Sequence, residues 1–344
     1  MTALFTGANP HGGPDELGVP LHDFSTNSNA CGPCPTALQA LAQADASRYP
    51  DPRYTALRQQ LATFHGVATE RVVLAGSASE FIFRLTALVA RRAAVAGSEA
   101  AAAAVSVPPH AYGDYAQAAR AHGLAVVLSG EPAALHWACE PSSPLGQPHG
   151  LSRWADAAGI RVLDGAYAPL RLSGRASHPP GVLHTVWQLF TPNKALGLTG
   201  VRAAYALAPR DAGIDVLALE QLAPSWPIGA HGVALLQAWV SSAAQAWLAN
   251  SRATLRDWKA RQISLCESLG WPCLPSDANF FCAQPALPNG SSLARALGNL
   301  RTAGIKLRDA ASFHLPGHVR LGVLPPPAQD ALKAAWLSLS KVSR

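Results

Sequence analysis

Lysine is scarce in this sequence, and one lysine stands in a different setting from the others. The five lysines are at positions 194, 259, 306, 333 and 341. Lys194 follows an apolar stretch and lies in a loop of small residues, TPNKALGLTG, whereas the other four fall in helix-like or late C-terminal segments. An amine at the end of a strand, with Arg202 eight residues later, suits a Schiff base beside a phosphate-binding group. A solvated surface lysine is the alternative at this point.

An acidic residue ends one of the predicted buried strands. Asp164 is the last residue of the stretch IRVLD, and an acid that ends a parallel strand points into the ligand-binding crevice of α/β proteins. Next to a pyridine ring its carboxylate would keep the ring nitrogen protonated, which makes pyridoxal phosphate an electron sink. Tyr167, three residues later, could hydrogen-bond the O3′ hydroxyl group of that ring. A turn or helix-capping role for Asp164 is the alternative.

Residues 76–80, GSASE, stand at the start of an apolar helical stretch. Small residues there leave backbone N–H groups free, and these groups and the helix dipole form a cradle for an anion. An ordinary N-cap by Ser77 or Ser79 explains the same letters. The lysine, the acid and the cradle therefore indicate a cofactor site more strongly together than any one of them does alone.

Other common catalytic motifs do not occur in the sequence. It contains neither G-x-x-x-x-G-K-[ST] nor a G-x-G-x-x-G after a strand, which argues against the familiar nucleotide-binding sites, and it contains no G-x-S-x-G nucleophile elbow. Cys31 and Cys34 have C-x-x-C spacing, but no second cysteine pair with zinc-ligand spacing follows. We therefore expect reduced cysteines and no metal.

The composition predicts a globular protein. Of the 344 residues, 49% are hydrophobic and 14% are charged, which lies outside the range of disordered segments. The net charge is +6 and the basic residues are scattered, so we expect an anionic small molecule rather than a nucleic acid. The most apolar stretch, residues 85–107, contains Arg91, Arg92 and Glu99 and is not expected to cross a membrane. With no visible secretory signal, we expect a cytoplasmic location.

Strand-like and helix-like stretches alternate along the first two thirds of the chain. Strands are predicted at 71–75, 103–107, 124–128, 135–139, 160–164, 184–190 and 201–207, and helices at 51–66, 80–90, 112–122 and near 152–158. This alternation predicts an α/β fold in which helices flank a mostly parallel central sheet and ligands bind at the carboxyl ends of the strands.

After residue 211 the pattern changes to that of a smaller α+β domain. Long helical patterns cover residues 230–269, short strands are predicted at 279–282, 305–308 and 318–323, and helices are predicted at 291–303 and 327–342. We therefore divide the chain into an N-terminal arm (1–45), a large domain (46–215) and a small C-terminal domain (216–344).

The order of these motifs resembles that of the fold-type I pyridoxal-phosphate enzymes, the aspartate-aminotransferase-like group, over nearly the whole chain. Within this group the sequence is most similar to the L-threonine O-3-phosphate decarboxylases of cobalamin biosynthesis, and next to the histidinol-phosphate aminotransferases. The matching segments are HGG (11–13), DFSTNSN (23–29), RYPDPRY (48–54), AGSASEFIF (75–83), LDGAY (163–167), TPNK (191–194), GVR (200–202), ANF (278–280) and HVRLGV (318–323). The resemblance implies the aspartate-aminotransferase-like fold, pyridoxal 5′-phosphate as cofactor, and a homodimer.

The resemblance also implies a role for each residue of the cofactor site. Lys194 is similar to the lysine that forms the Schiff base, Asp164 to the partner of the pyridine nitrogen, and Tyr167 to the ligand of O3′. Tyr112, in the segment PHAY, resembles the aromatic residue that stacks on the cofactor ring. The groups expected to hold the cofactor phosphate are the N–H groups of Ala78 and Ser79, the Thr191 hydroxyl group, Arg202, and Tyr54 from a second subunit.

Three residues are expected at the substrate. Arg320 resembles the arginine that holds the substrate α-carboxylate, a role that suits the two-pronged guanidinium group. Asn29 and His11 fall where the N-terminal arm of the family closes over the substrate. The expected substrate is therefore a small anionic amino acid.

The sequence departs from the family pattern at three positions. Residues 142–146 read SSPLG where the family usually has N-N-P-x-G, so Ser143 replaces the asparagine that binds O3′. The shorter serine hydroxyl group predicts a weaker hold on O3′. Gly165 replaces a common acid, and Ala30 replaces a common proline.

The resemblance favours decarboxylation of L-threonine O-3-phosphate to (R)-1-aminopropan-2-yl phosphate. The outcome depends on which bond at the substrate Cα is held perpendicular to the cofactor ring, and the sequence does not show this. If the Cα–H bond is so aligned, Lys194 removes the proton as general base and transamination follows. The first alternative is therefore an aminotransferase for a phosphorylated amino acid such as histidinol phosphate, and the second, motivated by Ser143, is a non-catalytic relative that binds the cofactor.

Overall fold

A seven-stranded sheet forms the centre of the computed structural model, which describes residues 11–97, 103–149, 154, 157–287 and 291–342. The strands, in chain order, are β1 (His22–Asp23), β2 (Val72–Ala75), β3 (Ala104–Val107), β4 (Ala125–Leu128), β5 (Leu135–Cys139), β6 (Ile160–Asp164), β7 (Trp187–Phe190), β8 (Ala204–Leu207), β9 (Phe280–Ala283), β10 (Ile305–Lys306), β11 (Arg308–Asp309) and β12 (Val319–Gly322). The central sheet has the order β2-β8-β7-β6-β5-β3-β4, and β8 runs antiparallel to both of its neighbours while the other pairs are parallel. This confirms the predicted fold class.

Helices cover both faces of this sheet. They are α1 (Pro35–Ala42), α2 (Thr55–His65), α3 (Ala78–Val95), α4 (Gly113–Ala121), α5 (Pro192–Ala195), α6 (Gly213–Leu222), α7 (Ala230–Trp239), α8 (Ser242–Ser268), α9 (Leu293–Thr302) and α10 (Pro326–Val342). Successive side chains of a strand point to opposite faces, so Val72 and Leu74 pack in the apolar core with α2 and α7, and Val73 and Ala75 pack with α3 and α4. This double burial explains why VVLA is apolar at every position.

Several predicted elements differ in length from the observed ones. The strand predicted at 184–190 is shorter, because residues Pro180–His184 form a 3₁₀ helix before β7. The helical pattern at 230–269 is two helices, because the Ser241 side chain accepts a hydrogen bond from the Ala244 N–H group (3.2 Å) and caps the start of α8. The helix predicted near 152–158 falls largely outside the described residues.

The small domain has its own core around an antiparallel sheet of order β11-β12-β9. Trp271, Phe281 and Trp336 lie in this core, together with Cys266 from the end of α8. The start of α8 instead packs in the core of the large domain, as do α6 and α7. The boundary predicted at residue 216 falls within α6, and α6, α7 and the start of α8 pack in the cores of the large domain. Helix α8 extends from there into the core of the small domain.

The N-terminal segment packs on the small domain. β1 pairs in parallel with β10, and the Asp15 carboxylate lies 2.7 Å from Arg301 Nη2 and 3.0 Å from Lys306 Nζ. Hydrogen bonds from these two cations hold the pKa of Asp15 well below its ordinary value. The first part of the predicted arm is thereby fixed to the small domain, whereas α1 packs on α7.

The described residues contain neither a helix that could span a membrane nor a cluster of metal-binding side chains. Within those ranges, no helix combines the length and the apolar character that a membrane span requires. In the same part of the chain, no group of three or more histidine, cysteine or acidic side chains comes together as a metal site. The six cysteines are free thiols.

Candidate active site

A cavity of about 290 Å³ lies between the large sheet and the small domain. The large domain contributes Asp164 at the end of β6, Lys194 from the short helix after β7, and the N-terminus of α3. The small domain contributes Arg308 on β11 and Arg320 on β12. The cavity is therefore at the carboxyl ends of the parallel strands, where the sheet topology places ligands.

Lys194 is held by a tightly bonded turn. It belongs to α5, which follows β7 directly and begins at Pro192, a residue suited to the first helical position. The buried Asn193 side chain accepts a hydrogen bond from the Lys194 N–H group (3.0 Å) and donates to the carbonyl groups of Thr199 (3.4 Å) and Val201 (3.3 Å). The Lys194 Nζ atom lies 5.6 Å from the centre of the Tyr167 ring, in the cavity.

Asp164 is a buried carboxylate with two donors. It is 4% exposed, its Oδ2 atom accepts a hydrogen bond from the Tyr115 hydroxyl group (2.6 Å), and its Oδ1 atom accepts from the Ala166 N–H group (2.9 Å). Burial raises the pKa of Asp164, while the two hydrogen bonds and the charge of Lys194 act in the opposite direction. The two donors therefore favour the ionised form, which is the form that can stabilise a cation in the cavity.

Another set of residues lining the cavity offers groups that suit a phosphate. Ser77 caps α3 by accepting a hydrogen bond from the Glu80 N–H group (3.0 Å), and the preceding N–H groups of Ala78 and Ser79 have no intrahelical partner. The buried Thr191 hydroxyl group has no hydrogen-bond partner among the described residues. Arg202 also lines the cavity, and no ion pair to its guanidinium group is found within the described ranges.

These features fit the cofactor expected from the motifs. Lys194 offers an amine, Asp164 offers a buried carboxylate, and the helix terminus, Thr191 and Arg202 offer an unpartnered anion site. Tyr112 lines the same cavity and its hydroxyl group lies 3.2 Å from Ser79 Oγ. The donor set is therefore that of a site for a phosphorylated pyridine aldehyde.

Two arginines converge at the small-domain side of the cavity. Arg308 and Arg320 are direct partners in the β11–β12 register, and both are 7% exposed. Their guanidinium carbons lie 4.9 and 5.3 Å from the centre of the Phe313 ring. Burial, followed by the charge of Arg320, lowers the pKa of Arg308 to about 10. Within the described ranges neither arginine forms a salt bridge, so the pair is suited to an anionic ligand.

Arg320 is oriented by the large domain and by the N-terminal segment. Its Nη1 atom donates to Ser143 Oγ (3.3 Å) and its Nη2 atom donates to the Ser25 carbonyl group (3.0 Å). Its buried Nε atom has no partner among the described residues. Ser143, which the motif comparison assigned to the cofactor O3′ position, thus supports the arginine expected at the substrate.

Most residues predicted for the site line the cavity, and two do not. The residues that line it are His11, Ala78, Ser79, Tyr112, Ser143, Asp164, Tyr167, Thr191, Lys194, Arg202 and Arg320. Asn29, which was expected over the substrate, is not among the residues that line the cavity in this structure, and its side chain donates to the Ala195 carbonyl group (3.0 Å). Tyr54 is buried, and its hydroxyl group donates to the Ile228 carbonyl group of the same chain (2.7 Å). Its reach into a second subunit stays a prediction.

Three residues of the site were missed by the sequence analysis. Asn27 lines the cavity, donates to the Tyr167 hydroxyl group (3.4 Å), and leaves its buried Oδ1 atom without a partner among the described residues. Arg308 lay within the strand predicted at 305–308. The available sequence signal was that Lys306 and Arg308 alternate with apolar residues along that strand, which places both on one face. Tyr115 lies in the first turn of α4, three residues after Tyr112, which precedes that helix.

We expect Tyr115→Phe to weaken cofactor binding about tenfold. The variant removes a hydrogen bond to a buried carboxylate, so the pKa of Asp164 rises further and less of it is ionised to stabilise a protonated ring nitrogen. The dissociation constant is measured by fluorescence titration of cofactor-free protein with pyridoxal phosphate. Tyr205→Phe is the matched control, because the buried Tyr205 hydroxyl group bonds His65 and Trp239, outside the cavity. Equal affinity of both variants and the wild type would refute the role of Tyr115.

Comparison with known proteins gives one family. The sequence matches the family model "Aminotransferase class I and II" over residues 20–130 and 153–335. It is 28% identical over 341 residues to a histidinol-phosphate aminotransferase of Jannaschia sp. (strain CCS1), a match that covers 92% of this chain and 90% of that protein.

Solved structures share the fold over nearly the whole chain. The histidinol-phosphate aminotransferase from Sinorhizobium meliloti in complex with pyridoxal-5′-phosphate superposes with a TM-score of 0.80 at 22% identity, covering 100% of this chain and 99% of that one. The L-threonine-O-3-phosphate decarboxylase from Porphyromonas gingivalis superposes with a TM-score of 0.71 at 18% identity, covering 92% and 99%. These structures confirm the predicted architecture.

Proposed function

Given that this chain belongs to the family of class I and II aminotransferases, we propose that it uses pyridoxal phosphate to transfer the amino group of a small phosphorylated amino compound. Histidinol phosphate is the first substrate to test, because similar proteins that match over nearly the whole chain are named for it. The sequence motifs alone favoured the decarboxylase, and the comparisons favour the aminotransferase alternative.

The observation that carries this proposal is the presence of two separate anion sites around one amine. The first consists of the α3 N-terminus, Thr191 and Arg202, and it suits the cofactor phosphate. The second is the buried pair Arg308 and Arg320, which suits an anionic group of the substrate. A substrate bound to the second site would present its amino group toward the side of the cavity that carries Lys194.

Different residues of the chain have different roles in the proposed reaction. Pyridoxal phosphate, when bound, supplies a ring that accepts electrons from the substrate Cα. Asp164 would keep the ring nitrogen of the bound cofactor protonated, and Lys194 would take the proton from the substrate Cα and deliver it, in the same half-reaction, to the cofactor carbon that receives the amino group. Arg308 and Arg320 would hold the anionic end of the substrate, and Asn27 and Tyr167, which are bonded to each other, form part of the cavity wall.

Decarboxylation of L-threonine O-3-phosphate is the second candidate, and the arginine pair also favours it. That substrate carries a carboxylate and a phosphate, and the two buried guanidinium groups of Arg308 and Arg320, which form no salt bridge among the described residues, match two anionic groups. Histidinol phosphate carries only its phosphate. His11, from the HGG segment that resembles the decarboxylases, lines the same cavity.

The test uses purified holoprotein with each substrate, with and without 2-oxoglutarate as amino acceptor. An aminotransferase turns over only when the acceptor is present and forms glutamate. Release of carbon dioxide from L-threonine O-3-phosphate without the acceptor would instead establish decarboxylation. A cofactor absorbance spectrum that does not change when either phosphorylated compound is added would contradict both activities. It would support a non-catalytic relative.

We also propose that two copies of the chain form the functional unit, as the resemblance implied. Tyr49 is 77% exposed and stacks on the half-exposed Trp226 at a centroid distance of 4.3 Å. The Trp226 ring donates to the Pro50 carbonyl group (3.1 Å), close in sequence to Tyr54. An exposed aromatic pair beside the tyrosine expected to cross between subunits supports an interface at this surface.

A further inference from the structure

Asn29 directs its hydrogen bonds at the turn that carries Lys194. It is 3% exposed, its N–H group donates to the Lys194 carbonyl group (2.9 Å), and its Nδ2 atom donates to the Ala195 carbonyl group (3.0 Å). Its Oδ1 atom accepts from the Cys31 N–H group (3.1 Å). None of these partners is a cavity side chain, so Asn29 acts on the backbone beneath the lysine.

The helix α5 is only four residues long, and the last carbonyl groups of a helix have no intrahelical partner. Donors from residues 29–34 therefore add to the bonds that Asn193 and residues 196–198 make within the turn. Asn29 bonds the carbonyl groups of Lys194 and Ala195, and the Cys34 N–H group bonds that of Leu196 (2.8 Å). Three consecutive carbonyl groups are thus satisfied by residues 29–34.

The residues just before Asn29 are bonded to the small domain. The Gly322 N–H group donates to the Phe24 carbonyl group (2.7 Å), and Arg320 Nη2 donates to that of Ser25 (3.0 Å). Asn279 Nδ2 donates to the Ser28 carbonyl group (3.0 Å). Residues 24–29, which we name the strap, therefore connect the strand that carries Arg320 with the helix that carries Lys194.

We propose that Asn29 is a positioning residue for Lys194, and that the strap sets the lysine relative to the substrate-binding strand. The proposal rests on the role proposed above for Lys194. It differs from the sequence prediction, in which Asn29 contacts the substrate. A residue that contacts substrate changes KM, whereas a residue that orients the proton-transferring amine changes kcat.

The test compares Asn29→Asp and Asn29→Ala with the wild-type holoprotein. Asn29→Asp keeps the size of the side chain and the acceptor for Cys31 but removes the donor to Ala195. Asn299→Ala, on the exposed face of α9, is the control. We expect kcat to fall about 10- to 100-fold in both Asn29 variants, with KM within about twofold, since small misplacement of a reacting group costs this much.

A second measurement does not depend on turnover. The rate at which cofactor-free protein captures pyridoxal phosphate at Lys194, followed by borohydride reduction and peptide mapping, is expected to fall at least fivefold, about 1 kcal/mol in rate terms, in Asn29→Asp. Asn29→Asp is the decisive variant if Asn29→Ala does not fold.

The outcomes separate this inference from the proposed function. A raised KM with unchanged kcat would show that Asn29 contacts substrate and would overturn the positioning role, as would wild-type values of kcat and capture rate. If the wild type captures the cofactor at a lysine other than Lys194, the proposed function fails first. If the wild type captures it at Lys194 and Asn29→Asp does so equally fast, only the inference about Asn29 fails.

Discussion

Replacing Lys194 with alanine is expected to lower kcat about 10³-fold or more with every substrate. Lys194 is the amine that lies in the cavity beside Tyr167. Its two proposed roles are the covalent link to the cofactor and the proton transfer at the substrate Cα. Steady-state turnover of the best substrate, at saturating pyridoxal phosphate, measures this loss. Added methylamine offers a further check, because a free amine can replace part of the missing proton transfer.

Lys333→Ala is the control for this prediction. Lys333 is exposed on α10, away from the cavity, so its replacement is expected to leave kcat and KM within about twofold of the wild type. A Lys194→Ala protein that retains more than a tenth of the wild-type turnover would contradict the role of Lys194.

Replacing Arg320 with alanine is expected to raise KM for the anionic substrate by about 30-fold or more. Removing one member of a buried, hydrogen-bonded charge pair typically costs about 2–5 kcal/mol, because the partner charge is left without compensation. Arg320 is 7% exposed and already oriented by Ser143 and Ser25, so little of this energy is lost to ordering the side chain. Substrate titrations under steady-state conditions give KM and kcat separately.

The other variants of the arginine pair sharpen this prediction. Arg320→Lys keeps the positive charge but loses the two parallel donors of the guanidinium group, so we expect a KM between those of the wild type and Arg320→Ala. Arg308→Ala is expected to act in the same direction, and the double variant measures the coupling between two residues that face each other across β11 and β12. Arg295→Ala, exposed on α9, is the control. An unchanged KM in Arg320→Ala would place the substrate elsewhere.

The parts of the site that the sequence predicted are those that local pattern determines. Asp164 ends a buried strand, and Lys194 lies in the turn after the next strand, so the parallel pairing of β6 and β7 brings both to one edge of the sheet. The GSASE segment contains its own cap, and the cap fixes where the free N–H groups of α3 lie. Strand period, turn residues and caps are local, which explains why these elements could be placed without a structure.

The missed residues depend on contacts between distant segments. Tyr115 reaches Asp164 only because α4 packs against the sheet, where the Tyr115 ring stacks on Trp137 at 4.5 Å. Arg308 faces the cavity because of the β11–β12 register. No spacing rule within one segment gives either relation, since both are set by tertiary packing.

Asn29 was predicted at the site, but its contacts also depend on the packing of distant segments. The motif DFSTNSN led to a predicted site role for Asn29 and none for Asn27, whereas in the structure Asn27 lines the cavity and Asn29 does not. Side chains two positions apart in an extended segment point to the same side, but the chain turns toward α5 after Ser28. Asn27 and Asn29 therefore contact different parts of the molecule. The strap lies between two domains, and only the packing of both domains determines the direction of each side chain.

The covalent attachment site of the cofactor tests the central claim most directly. Wild-type protein is incubated with pyridoxal phosphate, reduced with borohydride, digested and analysed by mass spectrometry. We expect a pyridoxyl group on the peptide that contains Lys194 and its loss in Lys194→Ala. A pyridoxyl group on another lysine, or stable labelling of Lys194→Ala at wild-type yield, would contradict the account.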